Sequence, residues 1–168
     1  MLLMNSRLQI KPVAPWHAEA LFQALDFDSV YEFLNSNRPE TVAEMSATID
    51  RYVAGPSDGS EDIWLNFVVL IGNQIIGCTQ ATIVGSRSEI AYLFSPVVVG
   101  QGYATRATEW LINYVTETHG ISKFWATTDP RNERSISLLK RCDFIETSLP
   151  EHGLRSYDDG DLVFTLGQ

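Results

Sequence analysis

The chain has 168 residues, of which 45% are hydrophobic and 20% are charged, and these values exclude a disordered, collagen-like or coiled-coil protein. The length predicts a single domain over residues 1–168. The formal net charge of −9 argues against nucleic acid as a partner, because a phosphate backbone attracts a surplus of Lys and Arg. The same charge favours a cationic partner, such as an amine.

Cysteine usage and the apolar runs indicate the compartment. Cys78 and Cys142 belong to no CxxC pair and no His/Cys cluster, so we expect free thiols and no metal site. The apolar start, Met1 to Met4, is too short for the core of a signal peptide. No apolar run approaches the ~20 residues of a membrane span. We therefore expect a cytoplasmic monomer or homodimer with no membrane partner.

The first third of the chain predicts one strand and several helical pieces. Alternating apolar and polar residues predict a strand over Arg7–Val13, and Pro15 opens a helix. A short helical piece follows over Ser29–Leu34. Thr41 and Glu44 have the spacing of a capping box and begin the next helix.

The rest of the chain alternates strands with longer helices. Three consecutive strands form an antiparallel meander over Ile63–Ile71, Gln74–Val84 and Glu89–Phe94. The later elements are a helix from about Tyr103 to Thr118, a strand over Phe124–Thr128, a helix over Asn132–Arg141, and strands over Phe144–Leu149 and Leu162–Leu166. The order β-α-α-β-β-β-α-β-α-β-β predicts an α/β domain with a mixed sheet.

A glycine-rich loop comes before the longest predicted helix. Gly100, Gly102 and Ala104 occupy alternate positions there, and such small residues let backbone N–H groups approach a ligand closely. Because a helix N-terminus carries unpaired donors and partial positive charge, the pattern indicates an anion site, most naturally for a pyrophosphate. A purely structural turn is the alternative. The loop lacks the Lys of a P-loop and the βαβ context of a dinucleotide fold.

Two ordered motifs carry a family resemblance. The first comprises Pro96, Gly100, Gly102, Tyr103, Ala104 and Thr105, and the second comprises Asn132, Ser135, Leu138, Leu139 and Phe144. With them the chain resembles the GNAT acyltransferase superfamily, and most of all its RimJ/RimL branch, which acetylates protein N-termini and small amines. It departs from the pattern at Val99, where Arg or Gln is usual, and at Asp143, which replaces Gly.

The resemblance implies a fold and a cofactor site. The fold is a mixed, mostly antiparallel central sheet flanked by helices and splayed between its fourth and fifth strands. The gap holds the pantetheine arm of acetyl-CoA, the co-substrate, and the pyrophosphate lies on amides from Val99 to Thr105. The implied cofactor residues are Phe94, Val99, Gly100, Gln101, Gly102, Tyr103, Ala104, Thr105, Asn132 and Ser135. As alternatives, Asn132 is a plain helix cap and Ser135 a solvated helix-start residue.

Acetyl transfer to an amine needs a proton acceptor and a group that stabilises the leaving thiolate. Glu89, at the start of a central strand, is the candidate base; the alternatives are a solubilising surface charge at Glu89 and a chain of waters. The superfamily's usual acid, a Tyr, would stand at Leu139 and is absent. Ser135 could instead donate a hydrogen bond to the thiolate. No covalent nucleophile is needed, so no role falls to Cys142.

The acceptor side is implied by the family and carries little signal of its own. Its candidate residues are Tyr31, Glu32, Trp64 and Tyr157, for which the alternatives are core packing and loop solvation. The leading hypothesis is an acetyl-CoA-dependent N-acetyltransferase in which a primary amine attacks directly. That amine belongs either to a protein N-terminus or to a small molecule. The alternative function is a non-catalytic acyl-CoA-binding sensor module.

Overall fold

The computed structural model of the protein describes residues 7–36 and 38–167, in which seven strands form one sheet. The strands are β1 Leu8–Pro12, β2 Ile63–Ile71, β3 Gln74–Val84, β4 Arg87–Phe94, β5 Lys123–Thr128, β6 Ile145–Thr147 and β7 Leu162–Leu166. The helices are α1 Ala18–Leu25, α2 Asp28–Tyr31, α3 Val42–Ala54, α4 Tyr103–His119 and α5 Glu133–Arg141, with short 3-10 turns at Pro15–His17 and Pro96–Val98. The first four residues, on which the signal-peptide argument rests, lie outside the described part.

Most predicted elements are confirmed, and the differences lie at their ends. The Thr41 side chain caps α3 by accepting a hydrogen bond from the Glu44 amide. The Glu44 carboxylate reaches back to the amide of Glu40, one residue further than a capping box predicts. The last two strands bracket a long loop, and β6 is only half as long as expected. β4 begins at Arg87, so Glu89 lies inside the strand and not at its start.

The predicted mixed sheet and its splay are confirmed. The strand order is β1-β2-β3-β4-β5-β7-β6, and every neighbouring pair is antiparallel except β4 and β5. In the described chain those two parallel strands pair at three positions, which end at Glu89 and Trp125. Beyond these positions the strands separate, so the backbone of β4 from Ile90 to Phe94 has no strand partner on that side.

The sheet is covered on both faces, and the alternation of β4 side chains determines which face each residue meets. α4 and α5 cover one face, where Ile90 packs with Leu111 and Leu139 and where Tyr92 also lies. α1 and α3 cover the other face, which carries Leu93. Because strand side chains alternate, Glu89 lies on the Leu93 face. Glu89 and Tyr92 therefore approach the splay from opposite faces of the sheet.

The two cysteines are buried, and neither is in a disulfide. Burial raises the pKa of the Cys78 thiol to about 12 and that of Cys142 to about 11. Both side chains are thiols at neutral pH, and the thiolate is the nucleophilic form. Neither environment activates its thiol as a nucleophile.

Candidate functional site

A cleft of about 1130 Å³ opens where β4 and β5 separate. Sites for small molecules span ~300–1,000 Å³, so this cleft suits a long ligand. Its walls include nine of the ten predicted cofactor residues: Phe94, Val99, Gly100, Gly102, Tyr103, Ala104, Thr105, Asn132 and Ser135. Gln101 is the exception, because its side-chain amide turns back to the Val97 carbonyl at 3.3 Å.

The glycine-rich loop presents open backbone to the cleft. Gly100 and Gly102 have φ values of +81° and +78°, in the left-handed region that favours glycine. A Cβ added at either glycine would meet nothing within 4 Å, so the space in front of the backbone is free for a ligand. The first bond of α4 joins the Arg106 amide to the Gly102 carbonyl at 3.1 Å.

The amides in the first turn of α4 are the strongest donors in this wall. The N–H groups of Tyr103, Ala104 and Thr105 precede the first intrahelical bond and have no acceptor within the helix. Two other amides of the glycine-rich loop already have acceptors within the protein. The Val99 amide donates to the Pro96 carbonyl at 3.3 Å, and the Gln101 amide donates to the Val98 carbonyl at 3.4 Å. Of the amides from Val99 to Thr105 on which the pyrophosphate is predicted to lie, these two already have acceptors in the described structure.

α5 also begins at the cleft. The Asn132 side chain accepts a hydrogen bond from the Ser135 amide at 3.1 Å, so Asn132 is the helix cap. It lines the cleft as well, because the capped end of α5 lies across the splay from β4. The cap at Asn132 is therefore confirmed, and its predicted contact with the cofactor stays a prediction that this position allows.

The Ser135 hydroxyl has a partner that sequence reasoning missed. Tyr92 on β4 places its phenol oxygen 2.8 Å from the Ser135 Oγ. Burial raises the pKa of the Tyr92 phenol above its ordinary value, so the group is neutral at physiological pH. Ser135 is half-buried and engaged, and its interpretation as a solvated helix-start residue is wrong. Strand alternation puts Tyr92 on the face that α5 covers, but it does not reveal the register of that helix.

Glu89 is 4% exposed, and its carboxylate is held by three donors. Oε1 accepts from the Arg155 amide at 3.0 Å, and Oε2 accepts from the Ser156 amide at 2.9 Å and from its hydroxyl at 3.0 Å. The alternative of a solubilising surface charge is therefore wrong. The carboxylate ties the loop between β6 and β7 to the centre of the sheet.

A second, smaller cavity of about 290 Å³ lies on the α3 face beside Glu89. Its floor consists of two cross-strand rows, Trp64–Thr82–Glu89 and Asn66–Gln80–Ala91. Its walls are Tyr52, Asp62, Arg155 and Ser156. The Gln80 amide donates to the Asn66 side-chain oxygen at 2.7 Å, and Arg155 pairs with Asp62 at 3.2 Å.

The two cavities meet at β4. Ile90, Ala91 and Ser156 line both of them, directly beyond the last paired position of β4 and β5. A group placed at this point touches the cleft on one side and the Glu89 cavity on the other. The arrangement can therefore bring two substrates together from opposite faces of one sheet.

The four predicted acceptor residues are not brought together. Trp64 lines the Glu89 cavity, whereas Glu32 lines the large cleft. Tyr31 packs against the core on the α1 and α3 face, and burial raises its pKa to about 12. Tyr157 lies in a turn, its amide donating to Leu154 at 3.4 Å, outside both cavity walls as the described residues define them.

The cleft wall carries side chains of both charges. Arg131, Arg134 and Arg141 line it, and so do the carboxylates of Glu32, Asp129, Glu133, Asp158 and Asp161. Arg131 pairs with Asp129 at 2.7 Å and lies over the Phe33 ring at 5.6 Å. The hydrogen bond from Arg131 lowers the pKa of Asp129 to about 2, so this pair is charged throughout the neutral range. The side chains give the cleft no positive excess, so the free main-chain amides at the start of α4 are its main feature for a phosphorylated ligand.

Comparison with known proteins decides the family. The family model described as an acetyltransferase (GNAT) domain matches residues 7–145. The chain belongs to the GNAT acetyltransferase family. The predicted resemblance is confirmed: this GNAT chain is an acyltransferase, and acetyl-CoA is its co-substrate. No curated protein matches the sequence.

Solved structures share the GNAT fold at low sequence identity. RimL, a ribosomal L7/L12 α-N-protein acetyltransferase solved with CoA, has 14% identity and a TM-score of 0.77, covering 98% of this chain and 96% of its own. Spermidine N-acetyltransferase from Vibrio cholerae, solved with CoA and spermine, has 16% identity and a TM-score of 0.75, covering 98% and 97%. The microcin C7 self-immunity acetyltransferase MccE, solved with acetyl-CoA and AMP, has 16% identity and a TM-score of 0.76, covering 99% and 94%.

Two kinds of feature are absent from the part of the chain that the structure describes. Across residues 7–36 and 38–167, no group of three or more His, Cys, Asp or Glu side chains is placed to hold a metal ion. Within the same ranges, no helix combines the length and apolar character that crossing a bilayer requires.

Proposed function

We propose that this GNAT chain transfers the acetyl group of acetyl-CoA to a primary amine by direct attack. The observation that carries the proposal is the separation of β4 from β5, which joins the large cleft to the Glu89 cavity at Ile90 and Ala91. The two acceptor classes are a protein N-terminus and a small amine. RimL and the spermidine N-acetyltransferase represent one class each.

The cleft is proposed to hold acetyl-CoA through main-chain groups. The phosphates lie against the amides of Tyr103, Ala104 and Thr105, with the open glycine loop beside them. The backbone of β4 from Ile90 to Phe94 has no partner strand on its β5 side, and unpaired backbone groups need hydrogen bonds. The amides of an extended pantetheine arm can supply them, in the manner of an added strand.

The acceptor amine is proposed to enter through the Glu89 cavity. Its nitrogen attacks the thioester carbonyl carbon, a C–N bond forms, and the C–S bond breaks with its electron pair leaving on sulfur. The nitrogen then gives up a proton, for which the Glu89 carboxylate is the acceptor, directly or through a water. A carboxylate offers about four acceptor positions, and three are used by the described residues, which leaves one for this proton.

Asp143 and Leu139, two positions where this chain differs from what is usual in the superfamily, are compatible with an active site. Asp143, which replaces a glycine, has φ +63° and makes the same left-handed turn that a glycine would make. Leu139, which stands where a Tyr acid is usual, is fully buried in the core between α5 and the sheet. Neither residue obstructs the cleft, so both are compatible with turnover.

A thiol-release assay over an amine panel tests the proposal and separates it from the sensor alternative. The panel contains peptides with free and blocked N-termini, polyamines, amino acids and aminoglycosides, and mass spectrometry identifies the acetylated product. Acetyl-CoA binding is measured by calorimetry in parallel, and a reaction without amine gives the hydrolysis background. We expect amine-dependent release of CoA. Tight binding with no release above background on any amine would support the sensor module instead.

A further inference from the structure

We infer that Tyr92 is a positioning residue that orients the Ser135 hydroxyl toward the sulfur of CoA. This inference rests on the proposed function and adds a residue to it. Tyr92 lies on the unpaired part of β4, and Ser135 lies in the first turn of α5 across the splay. Their oxygens are 2.8 Å apart, and both residues line the cleft.

The acidity of the two hydroxyls determines the direction of the hydrogen bond. A phenol is a stronger acid than a serine hydroxyl, so Tyr92 is the better donor and the Ser135 Oγ is the acceptor. The Ser135 carbonyl lies 3.5 Å from the same phenol, too far to compete well. A serine hydroxyl has a single proton, and this arrangement leaves that proton free. It can then be donated into the cleft, where the described residues offer Ser135 Oγ no other partner.

Tyr92 acts without losing its own proton. Burial raises the pKa of the phenol, so a phenolate at this position would be strongly disfavoured. The ring packs against the core under α5 and lies 6.5 Å from the Phe94 ring, which holds the hydroxyl in place before a ligand arrives. The Ser135 hydroxyl stabilises the negative charge that develops on the CoA sulfur by donating a hydrogen bond to it. The proton stays on the Ser135 oxygen. Such a fixed donor is effective because it does not reorganise during the reaction.

A purely structural role, in which the pair only ties α5 to β4, makes different predictions. The test compares Tyr92→Phe, Ser135→Ala and the double variant for kcat, for KM of acetyl-CoA and for melting temperature. We expect Tyr92→Phe to lower kcat about tenfold with little change in KM, because an oriented hydrogen bond to developing charge is lost. We expect the double variant to have the kcat of Ser135→Ala alone. Additive losses of kcat, or a lower melting temperature with unchanged kcat, would overturn the inference.

A binding measurement keeps the inference testable if no amine in the panel is an acceptor. Calorimetry compares CoA with desulfo-CoA, which lacks the thiol, at pH 8 on the wild type and both single variants. We expect the wild type to prefer CoA severalfold, and we expect Tyr92→Phe and Ser135→Ala to lose that preference to a similar degree. Retention of the full preference by Tyr92→Phe would show that Tyr92 does not orient Ser135. The affinity for desulfo-CoA itself serves as the control for an intact cleft.

Discussion

Glu89 is a buried carboxylate that both holds a loop and lines a cavity. It anchors the loop at Arg155 and Ser156 through three hydrogen bonds, and it lines the cavity proposed for the acceptor. Replacement by Gln preserves the size of the side chain but replaces one carboxylate oxygen with an NH2 group. That group is a donor, and it would face the amide and hydroxyl donors of Arg155 and Ser156. The substitution therefore alters both the proposed proton acceptor and the contacts that hold the loop.

We expect Glu89→Gln to lower kcat/KM for the amine by roughly 100-fold at neutral pH, because a positioned base contributes about that factor. The melting temperature should also fall, since buried donors lose their acceptor. Affinity for acetyl-CoA should hardly change. Ser156→Ala is the matched control, because it removes one donor and keeps the carboxylate, and it should retain most of the activity. An unchanged pH–rate profile in Glu89→Gln would transfer the proton acceptor role to water or to another acid.

Sequence reasoning located single residues well where the chemistry is local and poorly where it depends on tertiary contacts. Gly102 and Asn132 are parts of helix starts, and such starts are encoded within a few residues. The partner of Ser135 lies 43 positions away on β4, and the donors to Glu89 lie more than 60 positions away. No pattern along the chain reports contacts of that kind. Tyr92 and the engagement of Glu89 could therefore be found only in the folded structure.

The start of α4 is an element whose function depends on backbone shape. Gly102 is its N-cap, with a left-handed φ, and the space in front of it is open. Gly59 has the same features in an exposed loop, with φ +83° and no atom within 4 Å of an added Cβ. A side chain therefore carries a similar conformational cost at Gly102 and at Gly59. The two positions differ in that only Gly102 lines the cleft.

We expect Gly102→Val and Gly59→Val each to reduce the free energy of unfolding by about 1–2 kcal/mol, the cost of a left-handed L-residue. Only Gly102→Val should lose affinity for acetyl-CoA, by tenfold or more, because its side chain projects into the cleft. Calorimetry and thermal melts of both variants provide the comparison. Equal affinities in the two variants would remove the loop from the binding site.

Gly77 lies where β3 and β4 come into close contact beside the splay. A glycine is needed there because there is no room for a side chain. A Cβ there would lie 2.3 Å from the Leu93 carbonyl oxygen and 2.7 Å from the Phe94 ring. Because backbone cannot move aside cheaply, we expect Gly77→Ala to lower the free energy of unfolding by about 1–3 kcal/mol. If Gly77→Ala melted at the temperature of the wild type, the close contact would contribute nothing to stability.

At the level of elements, periodicity predicted the strands and the amphipathic helices, because both patterns follow directly from which side chains are buried. The splay between β4 and β5 has no such signature. The sequences of β4 and β5 resemble those of ordinary apolar strands. The splay between them was expected only from the family resemblance. The loop between β6 and β7 also lacks a periodic pattern, although it supplies the amides that hold Glu89. Loop positions depend on long-range contacts and were not predictable.

At the scale of the whole molecule, the net charge of −9 favours a cationic acceptor. The cleft proposed for acetyl-CoA carries Arg131, Arg134 and Arg141 among five carboxylates, so its side chains do not reverse that charge. On the other face, Glu89 and Asp62 line the cavity proposed for the amine. At the ~10 Å Debye length of 0.1 M salt, nearby groups outweigh the distant ones. Phosphate binding in the cleft therefore depends on nearby main-chain amides and Arg side chains, while the overall negative charge attracts a cationic acceptor.

This distribution predicts how salt affects the acceptor. With acetyl-CoA saturating, we expect kcat/KM for the amine identified in the panel to fall as NaCl rises from 20 to about 300 mM, since screening weakens attraction of cations. The fall should be steeper for a version of that acceptor that carries one additional distal ammonium, because steering grows with ligand charge. Glu117→Gln is the control: Glu117 is exposed near the far end of α4, so removing its charge should leave the slope unchanged. Parallel salt dependences for the two acceptors would show that the acidic balance of this chain plays no part in capturing its substrate.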